Sequence, residues 1–155
     1  TPAHPSAPNL IISPTNARAK LTALIASTQH TLAIEDEELQ DGAVADALIA
    51  AARRGVVVEV ILPAPASGAP PAPQLDRLRQ AGVLVRYSGH LYMHAKLMVV
   101  DGARAFVGSV NFSTTSLDDN RELGVLLADP VALGLLASTY AEDWQTGTAA
   151  RQDDR

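Results

Sequence analysis

The alternation of apolar and polar positions divides this chain into short strands and amphipathic helices. Residues 9–13 (NLIIS) form a brief apolar run that predicts a strand, closed by Pro14. Thr15 or Asn16 stands where a helix cap belongs. In the helix that follows, Ala17, Leu21, Leu24, Ile25 and Thr28 recur at helical spacing and give one buried stripe. Residues 31–34 (TLAI) predict a second strand that runs into the acidic stretch Glu35-Asp36-Glu37-Glu38. Asp41 caps a helix reaching Arg54, with Val44, Ala47, Leu48 and Ala51 on its apolar face. Gly55 supplies the left-handed residue that ends it. Residues 56–62 (VVVEVIL) are almost continuously β-branched, as in a strand covered on both sheet faces.

The second half reads differently. Residues 63–73 are a loop by their prolines, which cannot serve a central ladder. A short helix over 75–81 ends at Gly82, and 83–87 form another strand. Residues 95–100 and 103–107 flank Asp101-Gly102, a dipeptide that favours a tight hairpin turn. A further strand covers 121–127, and Leu135, Leu136, Ala137 and Tyr140 mark a closing helix over 131–144. This order predicts an α/β fold in which a mixed β-sheet carries helices on both faces. One domain over 9–146 is expected between a Pro-rich arm at 1–8 and a frayed tail at 147–155. No internal repeat is visible.

Composition narrows the picture modestly. The 155 residues are 47% hydrophobic, enough for a real core, and no apolar run approaches the length of a membrane span. With 17 acidic and 12 basic side chains the formal net charge is −5, which weighs against non-specific binding to long DNA. A local basic groove stays open, because overall charge and local potential are separate quantities. The absence of cysteine excludes disulfides, thiolate catalysis and Cys-ligated zinc. The start at Thr1 fits either an exported protein with its signal removed or a domain cut from a longer chain, so a cytoplasmic and an exported location both stand.

Lysine occurs twice, at positions 20 and 96, and Lys96 follows His94 by two. If His94-Ala95-Lys96 begins a strand, period two puts His94 and Lys96 on one face. Two polar residues there are costly unless paired or used. Taken alone, the pair is equally well read as an exposed strand end with no task. The next strand leads into Gly108-Ser109-Val110-Asn111, where a glycine allows close backbone approach and exposed amides can receive an anion. Ser109 and Asn111 add a hydroxyl and an amide that can donate to phosphoryl oxygens. Asn120-Arg121-Glu122 brings a carboxylate toward the same region. His, Lys and Asn do not make a divalent-metal shell, and no cofactor is implied.

These residues resemble the phospholipase D superfamily, the HKD phosphodiesterases. Its motif is His-x-Lys, four residues, Asp, six residues, Gly-Ser-x-Asn; here it reads His94-Ala95-Lys96, Asp101 and Gly108-Ser109-Val110-Asn111 with both gaps kept. The segment 116–124 (SLDDNRELG), together with Ser13-Pro14, Arg54-Gly55-Val56 and Asp143-Trp144, is similar to bacterial members, so the resemblance covers residues 9–144. It implies a phospholipase D-like fold and a metal-independent transfer through a phosphohistidine, in which a second histidine protonates the leaving oxygen. It makes His94 the histidine of this copy. Lys96 and Asn111, with Ser109 as a weaker candidate, become the phosphate-binding groups. Glu122 resembles the carboxylate that orients the histidine ring. Asp101 belongs to the motif, but its place before Gly102 favours a structural turn role, and Gly108 is structural as well.

The chemistry needs two histidines, and the chain holds one motif. His4 lies in the arm, His30 precedes a strand, and His90 lacks the accompanying lysine. The second copy is expected from a homodimer mate or from a missing upstream domain. The substrate is a phosphodiester, with a phospholipid favoured by the sparse basic residues. A DNA endonuclease working as a homodimer is the alternative, with Arg53, Arg54, Arg86, Arg104 and Arg121 as a candidate track and bases ignored. Tyr87 and Tyr92 are candidates for stacking on substrate. An inactive half-site that only binds phosphate groups is the third reading.

Overall fold

The computed structural model describes residues 7–150. The first six residues of the expected arm at 1–8, with His4, and the last five residues of the tail lie outside the described residues. The chain runs β1 (Leu10–Ser13), α1 (Ala17–Ala26), β2 (Thr31–Glu35), α2 (Gly42–Arg53), β3 (Val57–Leu62), α3 (Leu75–Gln80), β4 (Leu84–Tyr87), β5 (Leu97–Val100), β6 (Arg104–Gly108), β7 (Glu122–Leu127), α4 (Pro130–Thr146) and β8 (Thr148–Ala149). A single π-helical turn, Thr115–Asp119, precedes β7.

All eight strands form one sheet in the order β1-β7-β6-β5-β2-β3-β4-β8. The helical crossovers make β2, β3 and β4 mutually parallel, as such connections require. From β2 outward the hairpin reverses direction, so β5, β6, β7 and β1 are antiparallel neighbours. The sheet is therefore mixed. On one face Leu21, Ile25, Leu48 and Leu78 from α1, α2 and α3 pack over Leu32, Ile34, Val58, Val60 and Phe106. On the other, Leu133 and Tyr140 of α4 cover Ile61, Leu97, Val99 and Ala105. Helices on both faces explain why β3 shows no simple alternation. Among the described residues no helix is long and apolar enough to cross a membrane.

Local chemistry accounts for most boundaries. Asp41 accepts the Val44 amide at 3.0 Å and caps α2, and Gly55 at φ 93° ends it. The β5–β6 turn places Asp101 and Gly102 at φ 54° and 63°, the paired left-handed conformation of a hairpin turn. Three expectations need correction. Asn16 sits before α1, yet its side chain makes no cap; Oδ1 instead accepts the Ile12 amide at 2.8 Å. The tail does not fray at once: Thr148–Ala149 adds an edge strand to β4, and the Ala150 amide donates to Val85 O. His94-Ala95-Lys96 lies just before β5 and not within it, although the Gly108 amide reaches Lys96 O at 3.3 Å and adds one more rung.

Candidate functional site

Four chain segments meet at one end of the sheet. The residues after β2, those before β5, those after β6 and the first residue of β7 surround an open cleft of about 380 Å³. It is lined by Glu37, His94, Lys96, Gly108, Ser109, Asn111 and Glu122. The hairpin is what closes the sequence gap. Pairing Leu97 with Val107 sets the start of β5 beside the end of β6, and Gly108 pairs with Gly124 next to Glu122. Gly108 is required there, since a Cβ would lie 2.4 Å from Leu123 O and 2.5 Å from the Gly124 Cα.

His94 is largely open to solvent, with its side chain 73% exposed, whereas the Lys96 side chain is only 7% exposed. The Lys96 ammonium donates to Glu37 Oε2 at 3.1 Å and to the His94 carbonyl at 2.8 Å. His94 Nε2 lies 3.2 Å from the same Glu37 oxygen, and the Tyr92 hydroxyl donates to Oε1 at 3.0 Å. Two donors and the His94 ring thus converge on one carboxylate. Burial alone would push the Glu37 carboxyl up, but the hydrogen bonds from Lys96 and Tyr92 and the adjacent charges hold it below the usual carboxylate range.

Glu122 occupies the opposite wall. Its carboxylate accepts from Ser109 Oγ at 2.5 Å, Ser116 Oγ at 3.3 Å and Asn120 Nδ2 at 3.4 Å. The carboxylate in contact with the His94 ring is Glu37, which the sequence reading did not single out. The amides expected to receive an anion are largely engaged as well: Ser109 N–H donates to Leu123 O and Asn111 N–H to Ser116 Oγ. An anion in the cleft would be held chiefly by side chains. Asn111 Oδ1 is buried without a hydrogen-bond partner among the described residues; it is an acceptor, so only the Nδ2 end of this amide could serve an anion.

Two further acids brace this arrangement. Asp36 is fully buried, and its Oδ1 accepts the Glu38 and Phe112 amides, tying the segment after β2 to the residue after Asn111. Burial raises its pKa well above the ordinary value; the amides of Glu38 and Phe112 and the charge of Lys96 pull the other way without overcoming it. Asp101 stands at the far end of β5 and accepts the backbone amides of Gln29, His30 and Thr31 at 3.0, 2.7 and 3.0 Å. It is outside the cleft and works as a structural tie. His90 is exposed and lines a separate cavity beside α4. Tyr87 is buried, while Tyr92 is exposed beside the imidazole, 6.5 Å between ring centres.

The arginines proposed as a track are dispersed. Arg54 donates to the carbonyls of Ile25, Ala26 and Thr28, and Arg104 to Ser27 Oγ, at the sheet end opposite the cleft. Arg86 lies over the Trp144 ring at 4.5 Å. Arg53 borders a depression between α2 and α3, and Arg121 donates to Ser13 O. No cluster of three or more His, Asp or Glu suited to a metal ion occurs among the described residues.

Comparison with known proteins places this geometry in context. The family model described as "Cardiolipin synthase, PLD-like domain" matches residues 21–144. Mitochondrial cardiolipin hydrolase of Xenopus laevis is 31% identical over 133 residues, which is 84% of this chain and 62% of that protein. Cardiolipin synthase A of Pseudomonas putida is 32% identical over 118 residues, 65% of this chain and 24% of that one. The chain spans less than two thirds of the length of such relatives. Among solved structures, Nuc of Salmonella typhimurium, titled a phospholipase D family member, superposes with a TM-score of 0.83 at 21% identity, covering 92% of this chain and 97% of that one. At that identity the likeness speaks for the fold.

Proposed function

The chain belongs to the phospholipase D superfamily, and on that footing we propose that it supplies half of a metal-independent phosphodiesterase site, completed by a second copy of the same motif. One imidazole attacks phosphorus as the second gives its proton to the departing alcohol oxygen. Water or another alcohol, relieved of a proton by that second imidazole, then displaces the phosphohistidine. His94 fills one of these two roles. Lys96 neutralises charge on the phosphoryl oxygens, with Asn111 and Ser109 donating beside it. The mate comes from a second chain across a two-fold axis or from another domain of a longer protein.

The observation that carries this reading is the convergence of His94, Lys96, Ser109 and Asn111 on one open cleft. Its exposure on the His94 side leaves room for an opposing half. A small or lipid phosphodiester is favoured over a nucleic acid, because the arginines are dispersed and form no track along the cleft.

The test is a metal-free panel of a generic phosphodiester, phospholipid vesicles and single- and double-stranded DNA, run beside a measurement of mass in solution. Turnover is expected from a paired assembly, and His94→Ala abolishes it. Robust turnover by a verified monomer, or by His94→Ala, overturns the mechanism. DNA cleavage that falls steeply with salt while lipids stay intact makes the protein a nuclease instead.

A further inference from the structure

The cleft is poor in positive charge for a place that receives phosphate. Its lining sets one lysine and one histidine against two carboxylates, and no arginine of the described residues joins them. Glu122 is occupied by Ser109, Ser116 and Asn120. Glu37 is placed differently. Its Oε2 stands 3.1 Å from Lys96 Nζ and 3.2 Å from His94 Nε2, between the two groups that a phosphorus centre must bridge. A substrate oxygen that takes the ammonium must therefore displace this one.

Displacement does not send the carboxylate away. Tyr92 donates to its other oxygen at 3.0 Å, and the side chain is only 22% exposed. Glu37 also borders a hollow of about 340 Å³ under the proline-rich loop, where it has room to turn while it stays beside the cleft. Around it stand His94 and Lys96 before β5, Tyr92 in the same loop, Asp36 and Glu38 on its own segment, and Glu122 across the cleft. Lys96 is the one permanent cation among them. While Glu37 and Lys96 hold each other they are neutral as a pair. Once an anion takes the ammonium, the carboxylate faces that anion at short range. The penalty grows with the number of charges the anion carries.

We infer that Glu37 selects by charge: it lets the cleft hold a singly charged phosphodiester and makes it release a doubly charged phosphomonoester. This rests on the assignment of Lys96 to the phosphoryl oxygens given above. In hydrolysis the alcohol oxygen leaves phosphorus with the electron pair of the P–O bond and takes a proton from an imidazole. Water then gives a proton to that imidazole as its oxygen bonds to phosphorus and the P–N bond opens. The monoester so formed has a new P–OH group, which ionises with a pKa of about 6, so near neutral pH the product gains a second charge while still in place. Around phosphorus, substrate and product differ little in shape, and the carboxylate separates them by charge. Glu37 is thus a specificity residue that forms no bond to phosphorus and moves no proton.

The experiment titrates the full chain with dimethyl phosphate and methyl phosphate at pH 8 and follows the His94 ring signals by NMR. Wild type should bind the diester about threefold more tightly than the monoester. Because the charge contribution doubles from one ligand to the other, Glu37→Gln should gain about threefold for dimethyl phosphate and about tenfold for methyl phosphate, which removes the preference. A Glu37 that merely keeps Lys96 paired would yield the same gain for both. Wild type supplies a second reading that needs no variant. From about pH 5 to 8 methyl phosphate should weaken about threefold more than dimethyl phosphate, whose charge is constant and which corrects for the proton lost by the imidazole. Tighter binding of methyl phosphate by wild type at pH 8, or equal gains in the variant, overturns the inference. In turnover by the paired assembly, methyl phosphate should inhibit Glu37→Gln at about a tenth of the concentration that wild type needs. Turnover with charge-blind binding sinks the inference and leaves the phosphodiesterase reading standing. Charge-selective binding with no turnover by any assembly supports the selection and refutes that reading alone.

Discussion

Replacing Glu37 with glutamine tests the electrostatics of the cleft most directly. The substitution keeps shape and removes charge. Lys96 is nearly buried and has the Glu37 carboxylate at 3.1 Å and the His94 carbonyl at 2.8 Å as its partners. A charge-assisted bond of that kind is worth about 2 kcal/mol. The contact to His94 adds little, because that side chain is largely in water. For a chain of this size the loss lowers the melting temperature by about 4–8 °C. The donors released are those that would grip a phosphoryl group, so inorganic phosphate should bind the variant about tenfold more tightly, a gain of about 1.4 kcal/mol. At saturating phosphate the melting gap between wild type and Glu37→Gln therefore narrows to about 1–3 °C. Thermal melting with and without phosphate measures both effects. A variant that melts like wild type would show that the ion pair carries no stability. A gap that phosphate leaves unchanged would show that Glu37 and the anion do not share a place.

Three other substitutions probe the frame. Gly108→Ala forces its methyl into the β7 backbone and should cost about 1–3 kcal/mol, read as a lower denaturation midpoint; an unchanged midpoint would mean that β6 and β7 separate freely. Asp101→Ala removes the carboxylate that accepts three backbone amides and should cost about 2 kcal/mol. Burial raises the Asp101 pKa, but the amides outweigh it and the net direction is down, so the contribution is present above the ordinary carboxylate pKa and fades as pH falls through the folded value. Melting of wild type and Asp101→Ala should converge in acid, and a constant difference would contradict the tie. Glu35 behaves oppositely: its folded pKa of about 8 exceeds the ordinary 4.5, so the native state keeps a proton that the unfolded chain has lost. Stability then falls as pH rises across that window, by a few kcal/mol at roughly 1.4 kcal/mol per tenfold change in proton affinity. Glu35→Gln should flatten the melting profile from pH 5 to 9, and parallel profiles would refute this.

Much of the frame is legible in the residues because it is set locally. Asp101-Gly102 announces a turn, Gly55 a helix end, and the β-branched run before Pro63 a strand covered on both sides. The gaps that separate His94, Asp101 and Asn111 are the length of β5 and of β6, so spacing carried the site as well. Glu37 escaped for a physical reason. It stands in a run of four acids whose members end up buried under α4, buried beneath the cleft and paired with Lys96, and no local pattern separates those fates. The pairing of β2 with β5 assigns them. The two-residue edge strand escaped because a pair of small residues carries no periodicity, and the turn over Thr115–Asp119 because its polar sequence reads as loop.

Strand β5 is fastened at both ends to the flanks of β2. At one end the ammonium of Lys96 grips Glu37, just past the end of β2; at the other Asp101 clasps the amides that lead into β2. The four residues between them act as a gauge. An added or missing residue would let only one clasp close, or would turn the lysine toward α4. Grafting or redesign should therefore leave this stretch at constant length and take its liberties in the proline-rich loop after β3, where nothing is being measured.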